Sequence, residues 1–241
     1  MGTNDATMNM AIDEAILRLA DVPTLRLYRW CPSAISLGYF QSLEDEVDQG
    51  ACEKMGIDVV RRISGGGAVF HGAEGEITYS VVVAEGFLEV TEDVPASYER
   101  LCGGVINALQ LLGMDARFQG INDVVVGDKK ISGSAQTRRY GKILQHGTVL
   151  LDVDIERMFR VLRISEEKLS DKEIKKAEER VTSIRKEVGV VSSQRVAHAL
   201  ARGFEEALGI ELIPGSLEEE ERALARTIRG KYGSDEWNGM R

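Results

Sequence analysis

Behind a polar Asn4-Asp5 pair, Met8, Ala11, Ile12, Ala15, Ile16 and Leu19 recur at helical spacing and predict a first helix with one buried stripe. "TLRLYRW" (24–30) alternates as a half-buried strand does, and "AISLGYF" (34–40) follows a Pro-Ser turn, so the two are expected to pair. "IDVVRR" (57–62) reads as a third strand that runs straight into three glycines, and "ITYSVVVA" (77–84) as a central one. "ASYERLCGGVINALQLLG" (96–113) is helical to its stop at Gly113, although Gly103-Gly104 weakens its middle. Three more strands are predicted at "NDVVV" (122–126), "KKISGSA" (129–135) and "KILQHGTVLLDV" (142–153).

From about residue 154 the pattern turns helical and charged, in "IERMFRVL", "DKEIKKAEERV", "SSQRVAHALARGFEEALG" and "SLEEEERALARTIRGKYG". The acidic run from Ser216 to Glu221 suits the first turn of a helix, where carboxylates complement the positive end of the dipole. Strands first and helices late favour an α+β domain with mixed, mainly antiparallel sheets and flanking helices over a strictly alternating doubly wound sheet. One domain over residues 1–241 is expected, strand-rich to about 153 and helix-rich from 154 to 241.

Composition narrows the functions. Hydrophobic residues at 43% and charged residues at 29% give a real core. A formal charge of −9 offers no basic field for nucleic acid, though local positive groups can still hold a small anion. No apolar run suits a membrane span and the start lacks a signal-peptide pattern, so a cytoplasmic protein is expected. Cys31, Cys52 and Cys102 form no C-x-x-C pair, and His71, His146 and His198 have no ligand spacing, so no protein-bound transition metal is expected.

Chemistry gathers at two stretches. Gly127-Asp128 is a Gly-X hairpin signal of type II′, which pairs Val126 with Lys129 and Val125 with Lys130. Strand alternation then places Asp123, Val125, Lys130 and Ser132 on one face, with Asp123 and Lys130 as diagonal neighbours. Taken singly, Lys130 reads as a solvated surface lysine. It leads, however, into Ser132-Gly133-Ser134-Ala135, a run of small residues like Ser64-Gly65-Gly66-Gly67-Ala68. Glycines there either allow a bulge or let something approach the backbone. Neither a Walker A sequence nor G-x-G-x-x-G is present, which leaves a loop whose N–H groups, flanked by Arg61 and Arg62, can receive carboxylate or phosphate oxygens. His146, alternating with Leu144, Thr148 and Leu150, is given a positioning role at most. Cys31 is the one thiol worth testing for reactivity; Cys52 and Cys102 read as packing residues.

"RRISGGGAVFH", "NDVVVGDKKISGSA" and "HGTVLLDVD" occur in the order of the three motifs of the lipoate-protein ligase family, which shares its catalytic fold with biotin ligases and octanoyltransferases. "NMAIDEAIL", "RLYRWCPSAISLGYFQ" and the late "DEWN" also resemble that family, so the likeness covers nearly the whole chain. It implies activation of lipoate by ATP to lipoyl-adenylate, then transfer to a lysine of a lipoyl carrier domain, of the glycine cleavage H-protein or 2-oxoacid dehydrogenase E2 type. Lys130 matches the family's essential lysine, and Arg62 would meet the adenylate phosphate. Gly65, Gly66 and Gly67 would line the intermediate, and Asn122 and Asp123 would hold the nucleotide or its magnesium ion. Ser64, His71, Ser132, Gly133, Ala135 and His146 complete the expected binding set.

Departures from the family pattern matter. His71-Gly72 stands where His-Asp is usual, and "GEITYS", "SGSAQTRR" and "LQHG" resemble the octanoyltransferase branch. That branch needs a cysteine near the segment that here reads "QGIND", and none is there. An ATP-using ligase is therefore expected, with octanoyl transfer from an acyl carrier protein as the alternative and a noncatalytic lipoate- or carrier-binding subunit as a second. Biotin is a weaker substrate candidate. The stop at "DEWNGMR", where many ligases continue into an accessory domain, suggests a separate accessory subunit.

Overall fold

A computed structural model describes residues 1–87, 93–163 and 178–240. In chain order the strands are β1 (Gly2–Asn4), β2 (Thr24–Trp30), β3 (Ala34–Leu37), β4 (Asp58–Arg61), β5 (Val69–His71), β6 (Glu76–Ala84), β7 (Ala116–Gln119), β8 (Asp123–Val126), β9 (Lys129–Arg139) and β10 (Lys142–Leu150). The helices are α1 (Ala6–Leu19), α2 (Leu43–Glu46), α3 (Gln49–Met55), α4 (Val94–Leu111), α5 (Ile155–Val161), α6 (Ile184–Val188), α7 (Ser193–Leu208), α8 (Glu219–Tyr232) and α9 (Asp235–Asn238).

Seven strands form one sheet in the order β1-β2-β6-β10-β9-β8-β7, and three form a second in the order β4-β3-β5. Among the described strands only β1–β2 and β3–β4 pair in parallel, so the expected mixed, mainly antiparallel α+β architecture is what the chain adopts. The expected pairing of 24–30 with 34–40 is not. β2 lies between β1 and β6, while β3 lies between β4 and β5, so the turn at Cys31-Pro32-Ser33 carries the chain from one sheet to the other. Sequence proximity favoured a hairpin, but both faces of β3 are buried and its partners come from further along the chain.

Alternation along β6 decides which helices cover which face. Ile77, Tyr79, Val81 and Val83 point into a core shared with α4 and α7, through residues such as Leu101, Val105, Leu200 and Phe204. Val82, with Tyr28, Trp30 and Leu144, faces α1 and α8. The doubted middle of α4 is continuous helix. A Cβ on Gly104 would lie 2.4 Å from the Phe204 ring, so the glycine is there to let α7 approach. The small sheet packs Ile35 and Leu37 against Val47, Cys52 and Val161. The predicted helix at 171–181 falls largely outside the described residues.

α1 begins where its sequence said it would: the Asp5 carboxylate accepts the Met8 N–H at 2.9 Å. Its buried side is not purely apolar: Asn9 and Asp13 bond Arg26 of the sheet, and Glu14 meets Lys231 and Tyr232 of α8.

Candidate active site

The site grows from the α1-facing rows of the large sheet. Register aligns Ala135, His146, Ser80 and Arg26 across four strands, and beside them Gly133, Thr148, Thr78 and Tyr28. A cavity of about 240 Å³ opens over these rows. Arg62, Gly66 and Gly67 line it from the small sheet, and Asn122, Lys130 and Gly133 from the hairpin side. Met10, Trp30 and His71 also border it.

The β8–β9 hairpin places the lysine. Gly127 has φ +58 and Asp128 stays out of the left-handed region, as a type II′ turn requires, and Val125 sits opposite Lys130. Lys130 Nζ reaches Asp123 Oδ1 at 2.7 Å, the expected diagonal contact. The amine lies across Gly133, where an added Cβ would come within 2.6 Å of Lys130 Cε and Nζ. With 43% of the Lys130 side chain and 33% of Asp123 exposed, the pair is wet enough to be rearranged by an incoming anion. Asn122 donates from Nδ2 to Ser134 O at 2.5 Å and ties this strand end to β9.

Ser132 is not on that face. A register shift after Val124 leaves Ile131 unpaired, so Ser132 sits opposite Val124 and Val149, both in the core beneath α4. Simple alternation from Lys130 missed this bulge. Gly133 and Ala135 consequently face the cavity, and Ser132 is buried away from it.

The glycine loop is held by its own arginine. Arg62, only 4% exposed, donates from Nη2 to Gly65 O (2.7 Å) and Gly67 O (2.8 Å), from Nη1 to Ser36 O (2.7 Å), and from Nε to Ser64 Oγ (3.2 Å). Burial with no carboxylate against the guanidinium lowers its pKa to about 10. A trans peptide points its C=O and the next N–H in opposite directions. Clasping the carbonyls of Gly65 and Gly67 therefore turns the N–H groups of Gly66 and Ala68 away from Arg62, and neither finds an acceptor among the described residues. Gly66 needs φ +92, and its carbonyl occupies the space a Cβ on Gly38 would take. Unpaired main-chain donors held in a turn of this kind make an anion-binding nest.

Arg61 does not flank the nest as a free cation. It is fully buried and donates to Gln41 O (2.6 Å), Trp237 O (3.1 Å) and Asn238 O (2.6 Å), while its backbone N–H donates to Asn238 Oδ1 (2.7 Å).

The two histidines form part of the cavity wall. His146 Nδ1 bonds Asp13 Oδ2 at 3.1 Å and Nε2 meets Ser64 Oγ at 2.6 Å. His71 Nδ1 bonds Glu76 Oε1 at 2.7 Å, Nε2 meets Ser36 Oγ at 2.8 Å, and the ring stacks on Trp30 at 4.1 Å. Asp13 also accepts from Arg26, Tyr28 and Ser80. Asp13, Glu76 and Ser36 lie in stretches that resemble the family but were not among the site residues expected from the sequence. The legible signal was Asn9 and Asp13, two polar residues one turn apart on a helix face that should be apolar.

No cysteine lines the cavity. Cys31 is exposed, Cys52 packs under the small sheet, and Cys102 lies in α4, where burial pushes its thiol up to about 11. Among the described residues no cluster of three His, Cys, Asp or Glu could hold a metal ion. Nor is any described helix long and apolar enough to cross a membrane.

Residues 5–205 match the model of the lipoyl protein ligase A/B catalytic domain. The chain belongs to that family. Within this lipoyl ligase family, an octanoyltransferase LipM of Kyrpidia tusciae is 42% identical over 98% of this chain and 96% of its own length. A bipartite lipoate protein ligase of Thermoplasma acidophilum, described together with its E2 lipoyl domain, superposes with a TM-score of 0.89 at 37% identity, covering 99% of this chain and 93% of that one. A lipoate-protein ligase A bound with ATP superposes at 0.83 and 33% identity, covering 99% and 96%. The fold and the family read from the sequence motifs are thus established; the relatives' names divide between ligase and octanoyltransferase.

Proposed function

We propose that this protein is an ATP-dependent lipoate-protein ligase acting as one catalytic unit. The observation that carries the reading is that the Lys130 amine and the backbone nest at Gly66 border the same cavity, with no thiol among its lining residues. Lipoate carboxylate attacks the α-phosphorus of ATP and pyrophosphate leaves. A carrier lysine amine, shedding a proton, then attacks the acyl carbon and AMP leaves.

Both partners of the first step are anions, so positive charge must stand between them. A unit charge about 4 Å away is worth roughly 1 kcal/mol in water and about 4 at intermediate dielectric, so closing water out raises what Lys130 contributes. Asp123 holds the amine until the substrate arrives, and the nest takes phosphate oxygens. Asp123, one carboxylate beside Lys130, would help hold a magnesium ion brought by the nucleotide, an ion that would offset phosphate charge. The apolar border at Met10, Tyr28 and Trp30 suits an acyl chain.

The partners are a lipoyl carrier domain and a separate accessory polypeptide, as the bipartite relative suggests. Without the latter, activation of lipoate is slow while transfer from preformed lipoyl-adenylate persists. Octanoyl transfer from an acyl carrier protein is the second reading, favoured by the LipM relative. Mass spectrometry of an apo carrier mixed with the protein, ATP, magnesium and lipoate, with and without synthetic lipoyl-adenylate, tests the first. Nucleotide-free transfer from octanoyl-carrier, abolished by one Cys→Ala change, establishes the second instead. Lys130→Ala is expected to slow ligation about 10²–10³-fold in that assay.

A further inference from the structure

The two histidines do parallel work. A ring nitrogen facing a carboxylate carries the proton, so His146 donates from Nδ1 to Asp13 and its bare Nε2 accepts the Ser64 hydroxyl proton. With its proton so committed, Ser64 Oγ is left to accept Arg62 Nε at 3.2 Å. The second chain repeats the order: His71 donates to Glu76 and accepts from Ser36, whose Oγ accepts Arg62 Nη1 at 3.1 Å. Every residue in both chains is buried. Two carboxylate–histidine–serine lines thus end on two different nitrogens of one guanidinium, whose remaining Nη2 clasps the glycine loop.

Neither serine is placed as a nucleophile. Ser64 is fully buried and does not line the cavity, and Ser36, which does border it, is 2% exposed with its oxygen turned onto Arg62 Nη1, so the lone pairs of both face the guanidinium and not the substrate space. What the arrangement does control is rotation. A guanidinium with donors fixed on two edges cannot swing, so the Gly65 and Gly67 carbonyls stay turned toward it.

We propose that Asp13 and Glu76 are positioning residues that act through His146–Ser64 and His71–Ser36 to lock Arg62, and through it aim the Gly66 and Ala68 N–H groups at the anionic part of the substrate. The ligand assignment rests on the ligase reading; the locking does not.

The test uses the full chain with Ser64→Ala, Ser36→Ala, the double variant, and His146→Gln beside His146→Phe. Hydrogen exchange of the amides at 65–68 is followed in the unliganded protein, and pyrophosphate release with lipoate and ATP gives kcat and KM. Each serine variant is expected to speed exchange at 65–68 and lower kcat on the order of tenfold, as loss of an orienting partner commonly does, with KM for lipoate little changed. His146→Gln, whose side-chain oxygen can stand in for Nε2, recovers most of what His146→Phe loses. A double serine variant with wild-type exchange and wild-type kcat overturns the proposal, as does His146→Gln behaving like His146→Phe in both readouts. Should the wild type release no pyrophosphate and use no lipoyl-adenylate, the ligase reading falls, and the exchange arm still decides the locking.

Discussion

Lys130 owes its place to a residue with no side chain. Its amine occupies the volume a Gly133 Cβ would fill, so Gly133→Ala must push it off Asp123. A displacement near 1 Å can cost about 100-fold. Gly133→Ala is expected to lower kcat by about 10–100-fold while the melting temperature holds, because a flexible lysine tip yields without disturbing the core. His146 makes a second case. Burial lowers its pKa below the ordinary 6.5, helped by the positive Arg62 and by His71, while Asp13 opposes the shift. The folded state therefore binds fewer protons than the unfolded one near neutrality, and stability rises with pH there. His146's contribution is whole above about 6.5 and is lost as pH falls through its lower folded value. Asp13, whose pKa its partners hold below 3.8 against burial, adds a further loss at more acidic pH. The urea midpoint is expected to fall between pH 7 and 5, and His146→Gln to flatten that slope. The hairpin made Lys130 and Asp123 legible in the sequence because alternation and turn chemistry are local. Ser132 was misread because a bulge is a one-residue event that alternation does not foresee.

Among elements, the α4–α7 contact shows how glycine can be read two ways. Gly103-Gly104 looked like a weakness in a helix, since propensity counts only the helix itself. In the fold a Cβ on Gly203 would fall 2.2 Å from Gly104 O, so bare backbone on both helices sets their separation. Gly203→Ala is expected to destabilise the protein by about 1–3 kcal/mol in chemical unfolding, since backbone rather than a pliant side chain must move. Element types were readable from periodicity, as with α1, β6, α8 and the β8–β9 hairpin. Partnerships were not: β2 and β3 are three residues apart and belong to different sheets, which depends on strands later in the chain.

For the molecule as a whole, the clasp on Arg61 joins distant parts. Trp237 Nε1 donates to Arg61 O at 2.9 Å, Asn238 bonds the Arg61 N–H, and the guanidinium satisfies carbonyls from the 38–41 loop and from α9. Arg61→Ala takes the donor from a group of buried and half-buried carbonyls at once, at about 1–3 kcal/mol for each that stays unpaired. The measured loss is expected to exceed 3 kcal/mol by urea titration, with the cavity side of the loop affected through Tyr39 N–H and Ser64 O, bonded at 2.8 Å. "DEWN" stood out in the sequence as a motif, but its partner, 176 positions earlier, could not be named from it. The same separation orders events on the ribosome. The strand entering the glycine loop is translated early, yet its final hydrogen bonds wait for Trp237 and Asn238 to clear the exit tunnel, so a nascent chain stalled before them carries the motifs without the finished pocket.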